Sequence, residues 1–307
     1  MNWEVLELKA LTDIWTGGVN GRGSDLHLTG IRGSIRWWFE ALVRAYEGYA
    51  CDPQDEDRRC KLEYKKFQNE LKKHNGNLQK VLDELICPAC QLFGCTGWSA
   101  KFVLRVTDIN GKEILNRIRK GESFRLIFIP QKPFTEVERA LLKKTIKIIV
   151  ECGAIGGKTV LKPSETPWKN IKRPYHQDYG LIDYQDESKK IEKINTKIIL
   201  KRLHDNKENW PNLKYFWFIK GYYINRIQFN EITKAFSSDL NSFLKGGQGE
   251  SKKIFSFHGQ NSSNPDRAKR CFGYVRKKEE LNEMIEKLKN ICGINNILTW
   301  ENIQNEL

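Results

Sequence analysis

Several features that define large classes of proteins are missing from this chain of 307 residues. It contains no apolar run near the ~18 residues that a membrane-spanning helix needs, and its mean hydropathy is −0.59. Its first residues show no charged stretch followed by an apolar one, so we expect no secretory signal. We therefore expect a cytoplasmic protein with no membrane partner, whose cysteines are reduced, buried or bound to metal.

The residue patterns of common catalytic sites are lacking as well. The five histidines are scattered, and the carboxylates form no two-metal pattern. The run from Gly156 to Thr159 lacks the earlier glycine and the preceding strand of a nucleotide-phosphate loop. We expect no catalytic residues, no cofactor and no metal. The alternative is a metal-independent endoribonuclease that uses His27, near Arg32 and Arg36, as its general base.

What the chain does contain is a large excess of positive charge. Lys and Arg number 52 against 38 Asp and Glu, which gives a formal net charge of +14 and a pI near 9.3. Such an excess favours a polyanionic partner, because basic groups attract phosphates and release condensed counterions. Adaptation to high temperature is the alternative, but it explains abundant charge better than unbalanced charge.

Hydrophobic periodicity predicts an α+β protein made of two similar units. Each half of the chain shows strand, helix, strand, strand and helix, which is the order of the ferredoxin-like, or RRM-like, fold. We predict a first ferredoxin-like domain over residues 1–160, interrupted at about 50–99 by an inserted helical segment that contains five of the eight cysteines. A linking region over 161–212 and a second ferredoxin-like domain over 213–307 complete this prediction.

Helical spacing predicts, among others, three helices with the following bounds. The first spans residues 31–46 and presents apolar side chains at helical spacing. Another spans 231–244 in the second half of the chain. A short helical piece is predicted near 196–204, within the linking region.

The start of the first predicted helix combines glycines, a serine and arginines. A helix N-terminus attracts anions through unpaired N–H groups and partial positive charge. Gly30 and Gly33 would let a phosphate approach the backbone, and Ser34 can donate a hydrogen bond. Arg32 and Arg36 lie four residues apart and therefore share one helical face. The turn is thus a candidate site for a nucleic-acid backbone.

Further candidates flank this turn. Arg22 comes from the preceding glycine-rich loop. Trp37 and Trp38 are adjacent, so they cannot share a helical face; one is expected in the core, while the other can stack on a base or on a packed helix. Trp15 and Trp98 are additional stacking candidates. The alternative for the turn is an ordinary capped helix whose arginines pair with nearby carboxylates. These would be Asp25 and Glu40.

Five cysteines cluster in the inserted segment. They are Cys51, Cys60, Cys87, Cys90 and Cys95. The two-residue spacing between Cys87 and Cys90 suits two ligands of one zinc ion, so a site of four thiolates is one interpretation. The other, which we prefer, is a buried hydrophobic turn with free cysteines. It is favoured because the spacing from Cys90 to Cys95 is not that of a usual second ligand pair.

Four segments of the first half together resemble one protein family. They are residues 14–17 (IWTG), 29–38 (TGIRGSIRWW), 48–53 (GYACDP) and 87–98 (CPACQLFGCTGW). In order and spacing they are similar to the RAMP superfamily, and within it to the first-numbered subunits of type III-B CRISPR Cmr effector complexes. The resemblance covers mainly residues 1 to about 160. The second half agrees more loosely, through 252–257 and 272–275 before a terminal helix.

The resemblance implies tandem ferredoxin-like domains and a non-catalytic subunit of an antiviral complex. Such a subunit binds single-stranded RNA, guide and target, near the 3′ end of the guide, next to other subunits of the complex. The family pattern places Gly33, Ser34 and Arg36 against the RNA backbone, and puts a glycine-rich loop at 153–158. That loop lacks the family's closing glycines here, yet we expect Lys158 and Lys162 to face RNA. A scaffold that mainly binds proteins is a further alternative.

Overall fold

A computed structural model of the chain describes residues 4–17, 24–156, 178–200, 211–247, 251–259 and 265–307. Its helices and strands are organised around two antiparallel sheets of four strands each, which confirms the predicted α+β class. In these ranges, none of the helices combines the length and the apolar character that crossing a membrane requires.

The first sheet has the strand order β2-β3-β1-β4. Its strands are β1 (Glu4–Ala10), β2 (Phe102–Asp108), β3 (Ser123–Pro130) and β4 (Ile182–Tyr184). All neighbours are antiparallel, with Leu6 opposite Leu126 and Leu8 opposite Tyr184. Every second residue of β3 is buried, because successive side chains of a strand point to opposite faces. This strand order is that of a ferredoxin-like fold, as the sequence predicts.

The fourth strand of this sheet comes from the region that the sequence predicts to be a link. Residues 182–184 fall within 161–212, yet they pair with β1 and are buried. The predicted linking region is therefore wrong for this strand, because three residues are too few to show a strand period. The helix predicted near 196–204 is not formed over residues 196–200, and the rest of it lies outside the described residues.

Among the described residues, five helices belong to the first half of the chain. They are α1 (Leu28–Ala45), α2 (Tyr64–Lys73), α3 (Leu78–Leu85), α4 (Pro88–Phe93) and α5 (Glu136–Glu151). Helices α1 and α5 bury apolar faces, with Ile35 and Phe39 on one and Leu141 and Ile149 on the other. A capping box at Thr135 starts α5. Helices α2 to α4 form the inserted segment.

The second sheet repeats the topology of the first, in the order β6-β7-β5-β8. Its strands are β5 (Phe216–Lys220), β6 (Ile254–His258), β7 (Lys269–Tyr274) and β8 (Leu298–Thr299). The helices are α6 (Arg226–Lys234), α7 (Ser238–Lys245), α8 (Pro265–Ala268), α9 (Lys278–Cys292) and α10 (Trp300–Ile303). The helix predicted over 231–244 is therefore two helices, because Ser237 caps a new start at α7.

Strand β5 is buried on both of its faces. Trp217 and Ile219 pack into the core of the second unit, whereas Phe216 and Phe218 join the core of the first. Trp38 of α1 lies against them, with ring centroids 5.8 Å from Phe216 and 6.5 Å from Phe218. Helix α1 thus packs against the sheet face of the second unit through Trp38.

A fully buried arginine also ties the two units together. Arg270 on β7 donates hydrogen bonds to the carbonyls of Ile149 and Val150, in the last turn of α5, and of Gly153 just beyond it. The last carbonyls of a helix have no intrahelical partner, so the guanidinium supplies donors that α5 lacks. Burial lowers the pKa of Arg270 to about 10, while Asp183 opposes the shift. This contact holds the loop after α5 against the second sheet.

Candidate nucleic-acid interface

Three consecutive residues of α1 reach the surface. Arg32 and Gly33 are exposed, and Ser34 is half-buried. No hydrogen bond or ion pair holds Arg32 within the part of the chain that the structure describes. A Cβ added to Gly33 would meet no atom within 4 Å. A phosphate backbone can therefore come close to α1 at this point.

Helix α1 starts one turn earlier than the sequence predicts. His27 is the N-cap, and its carbonyl accepts hydrogen bonds from Gly30 (2.9 Å) and Ile31 (3.3 Å). The first turn docks on Thr16, whose Oγ1 accepts a hydrogen bond from the His27 N–H at 2.8 Å. The N–H of Gly33 therefore lies beyond the first turn, where it donates a hydrogen bond within the helix. At Gly33, contact with an anion therefore comes from side chains rather than from a free backbone donor.

Arg36, unlike Arg32, is held by protein groups. Its Nε donates to Glu40 Oε1 at 2.7 Å, and its Nη1 donates to the Gly94 carbonyl at 2.8 Å. A third contact joins Nη2 to the Cys90 sulfur at 3.2 Å. Burial raises the pKa of the Glu40 carboxyl to about 7, although Arg36 opposes the shift. These contacts remove Arg36 from the interface expected for it and match the ion-pair alternative.

A cavity of about 210 Å³ opens next to Ser34, where the two units meet. Five aromatic rings line it: Trp37 of α1, Phe255 and Phe257 of β6, Phe272 of β7, and Tyr179 just before β4. The Ser34 hydroxyl accepts a hydrogen bond from the Gly156 N–H at 3.1 Å, which joins α1 to the loop after α5. The cavity therefore offers stacking surfaces within reach of the exposed turn of α1.

Of the two adjacent tryptophans, one lies in the core, as the sequence predicts. Trp38 is 2% exposed, and its Nε1 donates to the Ala154 carbonyl at 3.0 Å. Trp37 is half-buried and meets Trp38 edge to face, with ring centroids 5.0 Å apart. Its ring also approaches Phe216 at 5.9 Å. Trp37 is thus held firmly in place at the wall of the cavity.

Trp15 and the loop after α5 meet on the same side of the molecule. A Cβ on Gly156, whose φ is +109°, would lie 2.8 Å from the Trp15 carbonyl oxygen. A Cβ on Gly153 would come within 2.6 Å of the Trp38 ring. Glycine is needed at both positions because the chain passes so close to its neighbours. Trp15 is half-buried and does not itself line the cavity, but its backbone lies next to Gly156, which does.

The remaining predicted residues are placed apart or are not described. Trp98 does not line the cavity; its Nε1 donates to the Gln91 carbonyl at 2.9 Å, and Lys132 Nζ lies 3.9 Å above its ring. Gly30 packs on Thr16, so its small size serves helix docking. Three residues fall outside the described ranges. They are Arg22, Lys158 and Lys162.

The cysteines of the inserted segment converge more closely than expected. The sulfur atoms of four of them lie within 4.8 Å of one another. They are Cys51, Cys60, Cys87 and Cys90. The expectation of no metal ligands does not fit this geometry. The fourth cysteine of this cluster is Cys60 and not Cys95, although the zinc interpretation allowed either.

Sequence patterns did not single out the cavity's three phenylalanines. Phe255 and Phe257 alternate along β6, and Phe272 faces them from β7. That alternation marks a strand face, and aromatic residues on it are a signal that could have identified them. Their position next to Ser34 depends on the packing of the second sheet against α1, which no local pattern contains.

Comparison with known proteins identifies the family to which the first half of the chain is similar. A model of the RAMP superfamily matches residues 7–161, which is half of the chain. No curated protein matches the sequence. Among solved structures, Cmr1 from Pyrococcus furiosus in its apo form is similar at 12% sequence identity, with a TM-score of 0.45. The alignment covers 91% of this chain and 89% of that one.

Proposed function

Because this chain belongs to the RAMP superfamily, we propose that it is a non-catalytic RNA-binding subunit of a type III-B CRISPR effector complex. It would hold single-stranded guide or target RNA near the 3′ end of the guide, beside other subunits, in antiviral defence. The four motifs of the first half support the type of complex. The observation that carries RNA binding is the exposed Arg32–Ser34 turn next to an aromatic cavity in a chain of net charge +14.

The turn supplies contacts suited to a phosphate. Arg32 brings a guanidinium, which binds phosphate oxygens through a fork of donors. The Ser34 oxygen accepts from Gly156, which leaves the hydroxyl proton for donation to RNA. Gly33 between them leaves space for the sugar-phosphate chain. Contacts of this kind position a strand without selecting its sequence.

The cavity supplies a place for a base. Stacking on an aromatic ring contributes about 1–3 kcal/mol per base and accepts any base, since every base has a π-face. Trp37 reaches both the surface and the cavity wall, so it is the ring on which we expect the first base to stack. Phosphate contact at Arg32 and stacking at Trp37 together predict tight but weakly selective RNA binding.

Binding is favoured over cleavage by the surroundings of His27. Its backbone N–H and carbonyl serve the start of α1. Within the described residues, no hydrogen bond engages the His27 ring. A histidine that acts as a general base is commonly oriented by a neighbouring hydrogen-bond partner. Nothing in the described geometry supplies that group, so the endoribonuclease alternative has no supporting observation.

The test of RNA binding is a salt titration with the full chain and a labelled single-stranded RNA. For single strands, log affinity falls with log salt at a slope of about −0.7 per phosphate contact. We expect Arg32→Ala to weaken binding and to flatten that slope. Arg105→Ala is the matched control, because Arg105 is exposed on β2 and its loss changes the net charge equally. Equal behaviour of the two variants would show that the turn is not the interface.

Two further measurements separate the alternatives. Incubation with repeat-containing RNA in chelator should leave the RNA intact; specific cleavage that disappears in His27→Ala would establish an endoribonuclease. Ultraviolet crosslinking in the assembled complex should map RNA to the turn of α1 and to Trp37. Crosslinks to neighbouring subunits alone, with negligible RNA binding by the isolated chain, would favour a protein-binding scaffold.

A further inference from the structure

Four cysteines from two separate stretches of chain meet beneath α1. Cys51 and Cys60 lie in the irregular segment between α1 and α2, whereas Cys87 is the N-cap of α4 and Cys90 belongs to that helix. Cys51, Cys87 and Cys90 are each at most 1% exposed, and Cys60 is half-buried. The four thiols are thus brought together by the tertiary fold and shielded from solvent.

The separations of the sulfur atoms suit a single metal ion. A tetrahedral zinc with Zn–S bonds of about 2.3 Å places its sulfur ligands about 3.8 Å apart. Cys51 lies 3.5 Å from Cys90 and 3.8 Å from Cys87, sulfur to sulfur. No pair among the four is more than 4.8 Å apart. A disulfide requires about 2.05 Å, and it would join only two of the four.

Donors surround these sulfur atoms. The Cys87 N–H points at the Cys60 sulfur at 3.3 Å, and the Cys90 N–H points at the Cys87 sulfur at 3.5 Å. The Arg36 guanidinium donates to the Cys90 sulfur at 3.2 Å. Thiols are weak acceptors, whereas thiolates bound to a metal are strong ones. The arrangement therefore suits sulfur atoms that carry negative charge.

Positive charge near the cluster matches what a four-thiolate site would need. Zinc with four thiolates has a net charge of −2, which is costly to bury alone. Arg36 contacts Cys90, and the buried Arg44 donates to the carbonyls of Ala50 (2.8 Å) and Cys51 (3.3 Å). Glu40 lies between the two arginines and pairs with Arg36. Such outer contacts orient metal ligands and stabilise their charge.

The polar loop between Cys51 and Cys60 has few contacts of its own that could anchor it to the rest of the protein. Residues 52–59 contain six charged side chains and no large apolar one, and five of these eight residues are exposed. Hydrophobic burial therefore cannot anchor the loop. A bond between its two ends and α4 would anchor it, since Cys51 and Cys60 stand at those ends.

We propose that Cys51, Cys60, Cys87 and Cys90 bind one zinc ion in a closed, structural site. All four positions of the metal are taken by protein sulfur, so the site has no open position for substrate or water. The ion joins the loop to α4 and, through Arg36, to α1. Its role is to fix the inserted segment against the helix that carries the exposed turn. It does not depend on RNA binding.

The test is the zinc content of the full chain after purification and exchange into metal-free buffer. We expect about one zinc per chain in the native protein and in Cys95→Ser and Cys152→Ser. Cys152 is a suitable control because it is buried at the end of α5, where burial raises its thiol pKa to about 11. Cys51→Ser and Cys87→Ser should lose the zinc. Retention of full zinc in both ligand variants would overturn the proposal.

Measurements on the native chain keep the proposal testable if the serine variants do not fold. Replacement of zinc by cobalt should give the strong visible bands of a tetrahedral thiolate site. Chelator should lower the unfolding temperature and make the four thiols, but not Cys152, newly open to alkylation. Zinc-free protein with unreactive or disulfide-linked thiols would refute a zinc site, as would the colour and iron content of an iron–sulfur cluster.

Discussion

Arg32 and Arg36 carry the same side chain, lie four residues apart on α1, and have opposite environments. Arg32 is exposed and faces open space, whereas Arg36 bonds to Glu40, Gly94 and Cys90. Helical spacing puts two residues on neighbouring positions of a face, but the inserted segment covers only the second of them. The comparison teaches that a basic motif on one helix turn can combine a structural arginine with a binding one.

The largest expected effect comes from Arg36. Arg36→Ala leaves Glu40, 2% exposed, without its ion-pair partner, and loss of one partner of a buried pair costs about 3–5 kcal/mol. We expect a clear fall in the urea midpoint of unfolding. Replacing both partners, as in R36M/E40L, should recover much of the loss, because two apolar groups leave no buried charge. An Arg36→Ala variant as stable as the native protein would show that Arg36 behaves like Arg32.

Ser34 should give a smaller loss of stability. Ser34→Ala removes the acceptor of the Gly156 N–H, and a hydrogen bond of this kind contributes about 1 kcal/mol. We expect faster hydrogen exchange at the Gly156 amide together with weaker RNA binding. Ser24→Ala, at an exposed position, is the control and should change neither. Unchanged exchange at Gly156 would mean that the loop is held without Ser34.

Replacement of Gly33 by alanine should change stability and RNA affinity in opposite directions. An exposed glycine inside a helix is about 0.5–1 kcal/mol less favourable than alanine, and a Cβ at Gly33 meets no other atom. Gly33→Ala should therefore raise the free energy of unfolding while its methyl group hinders a phosphate and lowers RNA affinity. Gly247→Ala, at an open position outside a helix, should leave RNA affinity unchanged. Undiminished RNA affinity in Gly33→Ala would argue against close approach at this turn.

The smallest effect is expected on RNA affinity when Arg32 is replaced by lysine. A phosphate contact accepts an ammonium group as a point charge, so Arg32→Lys should bind RNA nearly as the native chain does. Arg36→Lys should instead lower stability, because an ammonium group does not reproduce the fork of donors that reaches three acceptors. Unfolding midpoints and RNA titrations of both variants check the contrast. Equal tolerance of lysine at the two positions would contradict it.

Sequence patterns predicted most of the fold but less of the site. The order of strands and helices in both units could be recognised because it rests on local periodicity. Strand β4 escaped prediction because its three residues show no period, and its pairing with β1 spans about 170 positions of chain. The prediction that one of the two adjacent tryptophans lies in the core is confirmed by Trp38, whereas Trp37 is half-buried, since adjacent helical residues must face different ways. The cavity escaped prediction because it forms between elements of different units.

The exposed turn and the cysteine cluster show the same limit of sequence patterns, which identify residue types but not their tertiary contacts. The glycines, serine and arginines of α1 could be recognised as an anion site, and the pair Cys87 and Cys90 as metal-binding spacing. That Arg36 turns inward and that Cys60 joins the cluster follow from how the inserted segment folds against α1. Neither outcome is encoded in spacing along the chain.

By itself the sequence determined the repeated ferredoxin-like order, the positive charge and the residue types available at the first helix. These properties depend on composition and on neighbours three or four positions away. Only the tertiary structure decided which arginine meets solvent, which cysteines meet each other and which sheet face α1 covers. Those outcomes depend on contacts between segments far apart in the chain, where packing and burial select one arrangement.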